Sequence, residues 1–304
     1  MIIERVTIVG TGLIGASVGL ALKASGFSGK IYGYDSNTEE SATALQIGAI
    51  DDSLASRAGV IASKADVTVL CTPVLPILDW MEYLAPALNE EQLVTDVGST
   101  KREIAAKAVE LFNQPGHARF LPGHPMAGKE SGGASLAEAK MFQGATWLFT
   151  PVAAFGPLES EWRDLVKLFG AQVRNMDAER HDEVCAWVSH LPQMVSTALA
   201  ALLQDTFADD PEGMAAVQAI GGRALRETTR LGASPYSMWR DVAMTNTEEI
   251  AKTIAALEQR LAHVRENLRT PELRDAFATA NQFRKKETAE SKIKESKEEK
   301  KKDA

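Results

Sequence analysis

The sequence is poor in cysteine and has no long apolar run. Its 304 residues include two cysteines, Cys71 and Cys185, which lie far apart, each in an apolar run. This spacing excludes a disulfide framework and a CxxC site, and it is typical of a protein in a reducing cytosol. No apolar run reaches the roughly 18 residues that a membrane-spanning helix needs. Because the N-terminus also lacks a basic region followed by an apolar stretch, we expect a cytoplasmic protein without a signal peptide or membrane span.

The chain also lacks an excess of positive charge and any pattern typical of a metal site. Lys and Arg number 33 against 41 Asp and Glu, which gives a formal net charge of −8. Nucleic-acid binding requires a basic surface, so we expect no nucleic-acid partner. Neither an HExxH motif nor a cluster of Cys and His occurs, so we expect no metal.

The pattern along the chain predicts two domains and a tail. Residues 1–152 carry short β-branched runs that alternate with helical patterns, which predicts an α/β Rossmann domain with a parallel, doubly wound sheet. Residues 153–283 carry long helical patterns and predict an all-helical domain. Residues 284–304 contain nine Lys/Arg and six Asp/Glu, and this composition predicts a charged, disordered tail, although a fraying helix would fit it as well.

One helical pattern of the second domain carries an apolar stripe that steps by four and three residues. Core packing within one chain would explain this stripe. The seam of a dimer would explain it equally well, because a small helical domain often needs a partner to cover such a stripe. The stripe consists of Ile250, Ile254, Leu257, Leu261, Val264 and Leu268.

A glycine-rich loop follows the first predicted strand. The stretch VTIVGTGLIGAS places Gly10, Gly12 and Gly15 in the GxGxxG spacing, between a strand and the start of a helix. Glycines allow a tight turn here, and the N–H groups at a helix N-terminus can bind a pyrophosphate. We therefore predict that this loop, including Leu13 and Ile14, binds a dinucleotide, although a glycine-rich turn without a ligand would have the same composition.

Two later strand ends extend the predicted cofactor site. Asp35 ends the second strand, 20 residues after Gly15, where a carboxylate can accept hydrogen bonds from a ribose 2′-hydroxyl. The same carboxylate would repel a 2′-phosphate, and no Arg or Lys follows it directly, so NAD is favoured over NADP. Thr72 and Pro73 follow the next buried strand and are expected near the cofactor, although Pro73 could serve only to end the strand.

A histidine in a tightly specified loop is the candidate proton acceptor. His124 lies between Gly123 and Pro125, after a predicted strand of the first domain. A nicotinamide cofactor oxidises an alcohol by taking hydride from carbon, so the hydroxyl proton needs an acceptor, and histidine has a suitable pKa. The local pattern fits a structural loop histidine equally well.

Five motifs together resemble one family. In order and spacing, VGTGLIGASVGLAL, TDVGSTK, GHPMAG, HDEVCAWVSHLPQ and TRLGASPYSMW resemble the prephenate/arogenate dehydrogenases of tyrosine biosynthesis. The resemblance covers residues 4–270. It implies a Rossmann domain followed by an all-helical dimerisation domain, a homodimer, and oxidative decarboxylation of a cyclohexadiene with NAD(P).

The resemblance also implies three principal site residues. His124 would accept a hydrogen bond from the substrate hydroxyl at the carbon that loses hydride. Ser99 matches a serine near this histidine and the cofactor, although STKRE also resembles a capping box at a helix start. Arg230 matches an arginine that binds a substrate carboxylate, which a planar guanidinium does in bidentate fashion.

Five further residues match positions around the family's substrate pocket. Trp239 matches a tryptophan at the pocket edge, and Glu130 and Glu227 match acidic positions that pair with the arginine. His190 matches a second histidine, which would hold substrate or bond to backbone. Many relatives carry another histidine where this chain has Gln193. We include Gln193 among the substrate-binding residues, with recognition of the substrate side chain left open.

Neighbouring polar residues are expected to have structural roles. Asp96 is expected to orient the turn that carries Ser99. Lys101 is a further candidate for the site, although a solvated helix residue would explain it as well. His181, next to Asp182, is expected to belong to a helix cap rather than to the catalytic site.

The function most consistent with these residues is NAD-dependent conversion of prephenate to 4-hydroxyphenylpyruvate. An arogenate dehydrogenase, which makes tyrosine from arogenate, is the nearest alternative. A β-hydroxyacid dehydrogenase, another alternative, would need a catalytic lysine on the helical domain, and no lysine occurs between Arg174 and Asn246. A non-catalytic NAD-sensing protein would have no need for His124, Ser99 and Arg230 together.

Overall fold

The computed structural model of the protein describes residues 2–302. Two compact units divide the chain, one ending at Ile250 and the other beginning at Ala251. The first unit contains both sheets and most of the helices. None of the helices among the described residues combines the length and apolarity that crossing a bilayer requires.

A six-stranded sheet forms the centre of the first unit, and all of its strand pairs are parallel. Its strand order, β3-β2-β1-β4-β5-β6, is that of a Rossmann fold and confirms the predicted fold class. A second sheet has the order β7-β8-β9, with β7 antiparallel and β9 parallel to β8. The strands are β1 (Arg5–Val9), β2 (Lys30–Tyr34), β3 (Asp52–Ser53), β4 (Val67–Leu70), β5 (Leu93–Asp96), β6 (Arg119–Leu121), β7 (Gly123–Pro125), β8 (Thr146–Phe149) and β9 (Gln172–Asn175).

Helices connect the strands and make up the whole C-terminal part. Short 3₁₀ turns cover Ala134–Leu136 and Arg230–Ala233, and a π-helical turn covers Ala186–His190. The α-helices are α1 (Leu13–Ala24), α2 (Thr38–Gln46), α3 (Arg57–Ala62), α4 (Val74–Leu84), α5 (Arg102–Leu111), α6 (Pro157–Leu168), α7 (Ala178–Cys185), α8 (Leu191–Thr206), α9 (Pro211–Ile220), α10 (Arg223–Thr229), α11 (Tyr236–Thr245), α12 (Thr247–Glu266) and α13 (Pro271–Lys302).

The central strands are apolar along their length because both faces of the sheet are covered. Successive side chains of a strand point to opposite faces. Accordingly, Ile8 packs into one apolar cluster and its neighbour Val9 into the other. Leu93 and Val94 divide between the two clusters in the same way. This double burial explains why the strands appear in the sequence as continuous apolar runs.

The second sheet extends beyond the predicted domain boundary. The sequence places that boundary at residue 152, whereas β9 pairs with β8 in register from Thr146–Gln172 to Phe149–Asn175. The α/β part therefore includes α6 and ends at Asn175. Because β9 has four residues and is only half buried, its pattern is weak beside the helical patterns around it.

Two buried carboxylates fix the helical part of the first unit on the Rossmann part. Asp182 accepts hydrogen bonds from the backbone N–H groups of Lys101 (2.7 Å) and Arg102 (2.9 Å), at the start of α5. Asp241 accepts from the N–H of Leu75 (3.1 Å), in the first turn of α4. A carboxylate at a helix N-terminus satisfies free N–H groups and the positive end of the helix dipole. Both side chains are fully buried, so these contacts set the spacing of the two parts.

The last segment of the second unit is helical in the described residues. Of residues 284–304, which are predicted to form a solvated tail or a fraying helix, α13 includes those up to Lys302. Lys, Glu and Ala are strong helix formers, which accounts for the helix where no apolar stripe is present. Residues 303–304 of the predicted tail lie outside the described residues. Within the apolar stripe, Ile250 is buried and Leu261 is 58% exposed.

Close packing of α1 on β1 leads to a prediction about two glycines of the same loop. A Cβ at Gly15 would overlap the carbonyl oxygen of Gly10 and lie 2.9 Å from Cγ2 of Ile8. Gly15→Ala should therefore lower the free energy of unfolding by about 1–3 kcal/mol. A Cβ at Gly12 would meet nothing within 4 Å, so Gly12→Ala should change it by less than about 0.5 kcal/mol. Urea denaturation of both variants tests this, and equal stability of the two would contradict it.

Candidate active site

The glycine-rich loop forms an anion-binding turn at the end of β1. Gly10 has φ +90°, and a Cβ there would lie 2.7 Å from the carbonyl carbon of Cys71. Gly12 is the N-cap of α1, and it has no side chain to bond the first-turn N–H groups. The N–H groups that follow, beginning with Leu13 and Ile14, are therefore available to a phosphate.

A cleft of about 450 Å³ lies next to this turn and contains Asp35. The Asp35 carboxylate accepts hydrogen bonds from the N–H groups of Thr11 (2.7 Å) and Asn37 (2.9 Å), so its position at the end of β2 is fixed. Arg57 also lines this cleft, which the sequence gives no reason to expect. Its guanidinium bonds Asp79 at 2.7 Å and lies over the Trp80 ring at 4.3 Å.

A second cleft, of about 340 Å³, brings half of the predicted site residues together. It shares Gly12, Thr72 and Pro73 with the Asp35 cleft. The two clefts thus meet between the carboxyl ends of β1 and β4, where the strand order reverses and where Rossmann folds bind dinucleotides. The predicted residues that line this second cleft are Gly12, Leu13, Ile14, Thr72, Pro73, Ser99, His124 and Glu130.

Ser99 lies in this cleft and not at a helix cap. The helix that follows begins at Arg102, and Lys101 is its N-cap without a side-chain cap bond. The capping-box interpretation of STKRE is therefore wrong. The N–H groups at this helix start are satisfied by Asp182 instead, which leaves the Ser99 side chain at the cleft.

His124 is held in a short strand. It pairs with Leu148 across β7 and β8, instead of lying in the irregular loop that the sequence suggests. Its neighbour Gly123 donates its N–H to Asp96 (3.1 Å), and a Cβ at Gly123 would lie 2.9 Å from the Asp96 carbonyl oxygen. Asp96 also accepts from the N–H of Gly98 (2.7 Å), so this carboxylate orients the Ser99 turn, as expected, and the His124 strand as well.

The ring of His124 contacts a second histidine that sequence reasoning assigned to a cap. His124 Nδ1 lies 2.8 Å from His181 Nε2, and His181 Nδ1 lies 2.8 Å from Asp182 Oδ1. The cap of α7 is Asp177, which accepts from the N–H groups of Glu179 and Arg180. The cap assignment of His181 is therefore wrong. Because 57 residues separate the two histidines, no local pattern could have revealed their contact.

Burial determines the electrostatics around His124. Desolvation lowers the pKa of His124 well below its usual value of 6.5, and the neighbouring His181, Lys101 and His190 lower it further. Lys101 is fully buried and pairs with Asp96, so of its two interpretations the solvated helix residue is wrong. Burial lowers the pKa of Lys101 and raises that of Asp96, while their mutual attraction opposes both shifts. His124 is therefore a neutral acceptor at pH 7.

A group of three metal-ligand side chains surrounds the same point. The ligand atoms of His124, His181 and Cys185 all lie within 4.8 Å of one another. Two of these atoms are already hydrogen bonded to each other, and burial raises the pKa of the Cys185 thiol to about 12. Since metals bind the thiolate, this environment opposes metal binding.

An ion pair at the mouth of the cleft contains Arg230. Its guanidinium pairs with Glu130, a lining residue of the His124 cleft. Both side chains are partly exposed, so an incoming carboxylate can replace Glu130 as the partner. Glu227 bonds Arg223 instead, at 2.6 Å on the exposed side of α10, so the expected pairing of Glu227 with Arg230 is not observed.

His190 is buried and packs against the half-buried Trp239. Asn246 donates to His190 Nδ1 (3.2 Å), which places the ring proton on Nε2. The two rings meet edge to face with centroids 5.9 Å apart. Neither His190 Nε2 nor Trp239 Nε1 has a hydrogen-bond partner, although both atoms are buried. Such donors are suited to an acceptor group of a ligand.

Gln193 is buried and forms hydrogen bonds with the turn that follows Arg230. Its amide Nε2 donates to the carbonyl of Leu231 (2.7 Å), and its Oε1 accepts from the hydroxyl of Ser234 (3.3 Å). It lines a separate cleft of about 540 Å³ together with Trp239. The hydrogen bonds of Gln193 thus hold the turn that carries Arg230, whereas the sequence suggests contact with the substrate.

Comparison with known proteins gives one consistent result. The model of the prephenate dehydrogenase nucleotide-binding domain matches residues 18–174, and that of the prephenate dehydrogenase dimerization domain matches residues 177–286. The prephenate dehydrogenase of Bacillus subtilis (strain 168) is 32% identical over 249 residues, which are 81% of this chain and 65% of that protein. The chain thus spans slightly less than two thirds of the length of that relative.

Two solved structures are similar over nearly their whole length. The prephenate dehydrogenase from A. aeolicus, in complex with hydroxyphenyl propionate and NAD+, has a TM-score of 0.80 at 30% identity, with 94% of this chain and 96% of that chain covered. The Synechocystis arogenate dehydrogenase has a TM-score of 0.74 at 28% identity, with 93% and 99% covered.

The fold and the paired clefts define a dinucleotide-binding protein of the Rossmann class. With both family models matched, the chain belongs to the prephenate dehydrogenase family. The predicted family is confirmed. The two models divide the chain between residues 174 and 177, at the end of β9 and not at residue 152.

The position of Gln193 behind Arg230 predicts an indirect effect on substrate affinity. Gln193→Met keeps the length of the side chain but leaves the Leu231 carbonyl without its partner, at a cost of about 1–3 kcal/mol. We expect KM for the substrate to rise about tenfold with little change in kcat. Steady-state kinetics test this beside Thr197→Val, which removes only the bond from Gln193 to Thr197 (3.1 Å). An unchanged KM in Gln193→Met would contradict the role.

Proposed function

We propose that the chain is an NAD-dependent prephenate dehydrogenase that forms 4-hydroxyphenylpyruvate in tyrosine biosynthesis. The observation that carries the proposal is the position of a neutral, buried His124 in a cleft that continues into the Asp35 cleft. Arg230 lies at the mouth of the same cleft, paired with Glu130. A proton acceptor, a dinucleotide site and a carboxylate-binding group are thus adjacent.

The residues of the two clefts fit NAD. The turn at Gly10 and Gly12 brings backbone close to a bound pyrophosphate without a Cβ in the way. The carboxylate of Asp35, fixed by two backbone N–H groups, suits a ribose 2′-hydroxyl and repels a 2′-phosphate. NAD+ that binds here would accept the hydride from C4 of the substrate.

His124 supplies the proton acceptor for the oxidation. As C4 loses hydride, its hydroxyl becomes a carbonyl, and the hydroxyl proton passes to a ring nitrogen of His124. Because burial keeps this ring neutral, the acceptor is available without prior deprotonation. Loss of carbon dioxide from the opposite carbon then leaves the electron pair of that C–C bond in the ring, which becomes an aromatic phenolate, and the proton on His124 returns to the phenolate oxygen. Ser99, in the same cleft, is in a position to bond the substrate hydroxyl or the His124 ring.

Arg230 and the two unpartnered donors supply substrate binding. Prephenate carries two carboxylates, and a guanidinium can bind one of them in bidentate fashion. Exchange of Glu130 for this carboxylate conserves the charge balance at Arg230. The buried N–H groups of His190 and Trp239 offer further donors to an oxygen of the ligand.

Oligomeric state and location form part of the proposal. A homodimer is supported by the match to a dimerization domain over residues 177–286. It is also supported by exposed apolar side chains in that stretch, among them Leu202 (63% exposed) and Ile220 (82% exposed). Cytoplasmic residence is supported by the free state of Cys71 and Cys185.

Turnover of defined substrates tests the proposed activity. The protein is incubated with prephenate or arogenate, each with NAD+ or NADP+, and nicotinamide absorbance is followed. We expect the highest kcat/KM for prephenate with NAD+, because the Asp35 carboxylate opposes the 2′-phosphate of NADP+. Preference for arogenate would establish the alternative substrate. Absence of turnover with both substrates would reject the enzyme in favour of an NAD-binding protein.

The lowered pKa of His124 predicts the pH dependence of this activity. Because the pKa of His124 lies below 6.5, its ring remains unprotonated as the pH falls through 6.5. The ring becomes protonated, and can no longer accept the hydroxyl proton, only at lower pH. Prephenate carboxylates are ionised throughout this range, since carboxyl groups of this kind have pKa values of about 3–4. The acid limb of kcat/KM, measured with prephenate at saturating NAD+, should therefore lie below pH 6.5. A limb centred at or above pH 6.5 would show that burial does not control this group.

A further inference from the structure

Three buried side chains form a continuous hydrogen-bonded chain that ends on His124. Asp182 Oδ1 lies 2.8 Å from His181 Nδ1, and His181 Nε2 lies 2.8 Å from His124 Nδ1. Asp182 and His181 are fully buried, and His124 is 9% exposed. Solvent therefore does not compete for these bonds, and each proton position depends on the next group in the chain.

The identity of each donor follows from the Asp182 end. The Asp182 carboxylate accepts from the N–H groups of Lys101 and Arg102, two donors that suit its ionised form. An ionised carboxylate can only accept, so the bond to His181 requires a proton on His181 Nδ1. Burial lowers the pKa of His181 and keeps its ring neutral, which leaves Nε2 of that ring as an acceptor. The short contact with His124 then requires a proton on His124 Nδ1.

We propose that His181 and Asp182 are positioning residues that hold His124 in its Nδ1–H tautomer, with Nε2 as the acceptor for the substrate hydroxyl. This inference rests on the proposed function, because it assigns the state of the same catalytic group. A histidine that donates from one ring nitrogen presents the other as an acceptor, and the partner of the first nitrogen decides which is which. The Asp182–His181 pair therefore determines whether His124 can take a proton at all.

The same chain stabilises the charge that develops on His124. When Nε2 takes the hydroxyl proton, the ring becomes cationic in a buried site that also contains the Lys101 ammonium. Asp96 is paired with that ammonium, so Asp182 is the carboxylate that faces the histidines. The remaining neighbour, Cys185, lies 3.5 Å from His181 Nε2 as a neutral thiol and supplies no charge.

Two variants of His181 separate positioning from packing. His181→Gln retains an amide oxygen that can accept from His124 Nδ1–H, whereas His181→Leu fills the site without an acceptor. We expect kcat for prephenate to fall about 10²-fold or more in His181→Leu, with KM changed by less than about threefold. The kcat of His181→Gln should be at least about tenfold higher than that of His181→Leu. Equal kcat values in the two variants would overturn the proposal.

Cys185→Ala provides the matched control. It removes another contact of His181 but leaves the chain of N–H bonds intact, so kcat should stay within about twofold of the parent protein. A loss in Cys185→Ala as large as that in His181→Leu would mean that kcat follows packing around His181, and this outcome would also overturn the proposal.

A measurement without turnover keeps the inference testable if a variant fails to fold or if prephenate is not the substrate. ¹⁵N NMR of the full-length protein, labelled at its histidine rings, distinguishes the two neutral tautomers, and His124→Asn identifies the signal of His124. We expect a proton on Nδ1 of both His124 and His181 at pH 7.5. A proton on Nε2 of His124 would overturn the proposal, whereas absent turnover of prephenate would reject only the proposed function.

Discussion

The carboxylate of Asp182 is the constraint on which the site depends. It satisfies the first N–H groups of α5 and so fixes the helical part of the first unit against the Rossmann part. Through His181 the same carboxylate reaches the ring of His124. A single buried charge thus links domain packing to the chemistry. Removing it would leave two backbone donors and one ring donor unsatisfied in a buried environment, where each unpaired group costs about 1–3 kcal/mol.

Around this carboxylate, the parallel sheet brings together the remaining parts of the site. The carboxyl ends of β1, β2 and β4 place the glycine turn, Asp35 and Thr72 along one edge. Asp96, at the end of β5, orients both the Ser99 turn and the His124 strand through backbone N–H groups. Because these positions depend on backbone hydrogen bonds within rigid elements, little rearrangement is needed to present the acceptor. The Arg230–Glu130 pair, by contrast, is partly exposed to solvent at the mouth of the cleft.

The parts of the fold and site that follow from the sequence are those with local signals. The GxGxxG spacing, Asp35 and the alternating pattern of the first domain identify the Rossmann fold, and five motifs identify the family. The interpretations that differ concern residues whose partners are remote in sequence. His181 meets His124 across 57 residues, and Gln193 bonds a carbonyl 38 residues away. The sequence around Lys101 resembles an exposed helix start, but in the structure α7 and Asp96 enclose this residue. Local pattern cannot report such contacts, since tertiary packing decides which polar residue is buried.

The central claim is that His124 presents an unprotonated Nε2 to the substrate hydroxyl because its Nδ1 donates to His181. Neutron diffraction from a deuterated crystal with NAD+ and a hydroxyphenyl propionate tests it most directly, because the method locates both the deuterons and the ligand. The account predicts deuterium on Nδ1 of both histidines, and a distance of about 2.6–3.2 Å between His124 Nε2 and the ligand hydroxyl. Deuterium on His124 Nε2, or a ring turned away from the ligand, would contradict it.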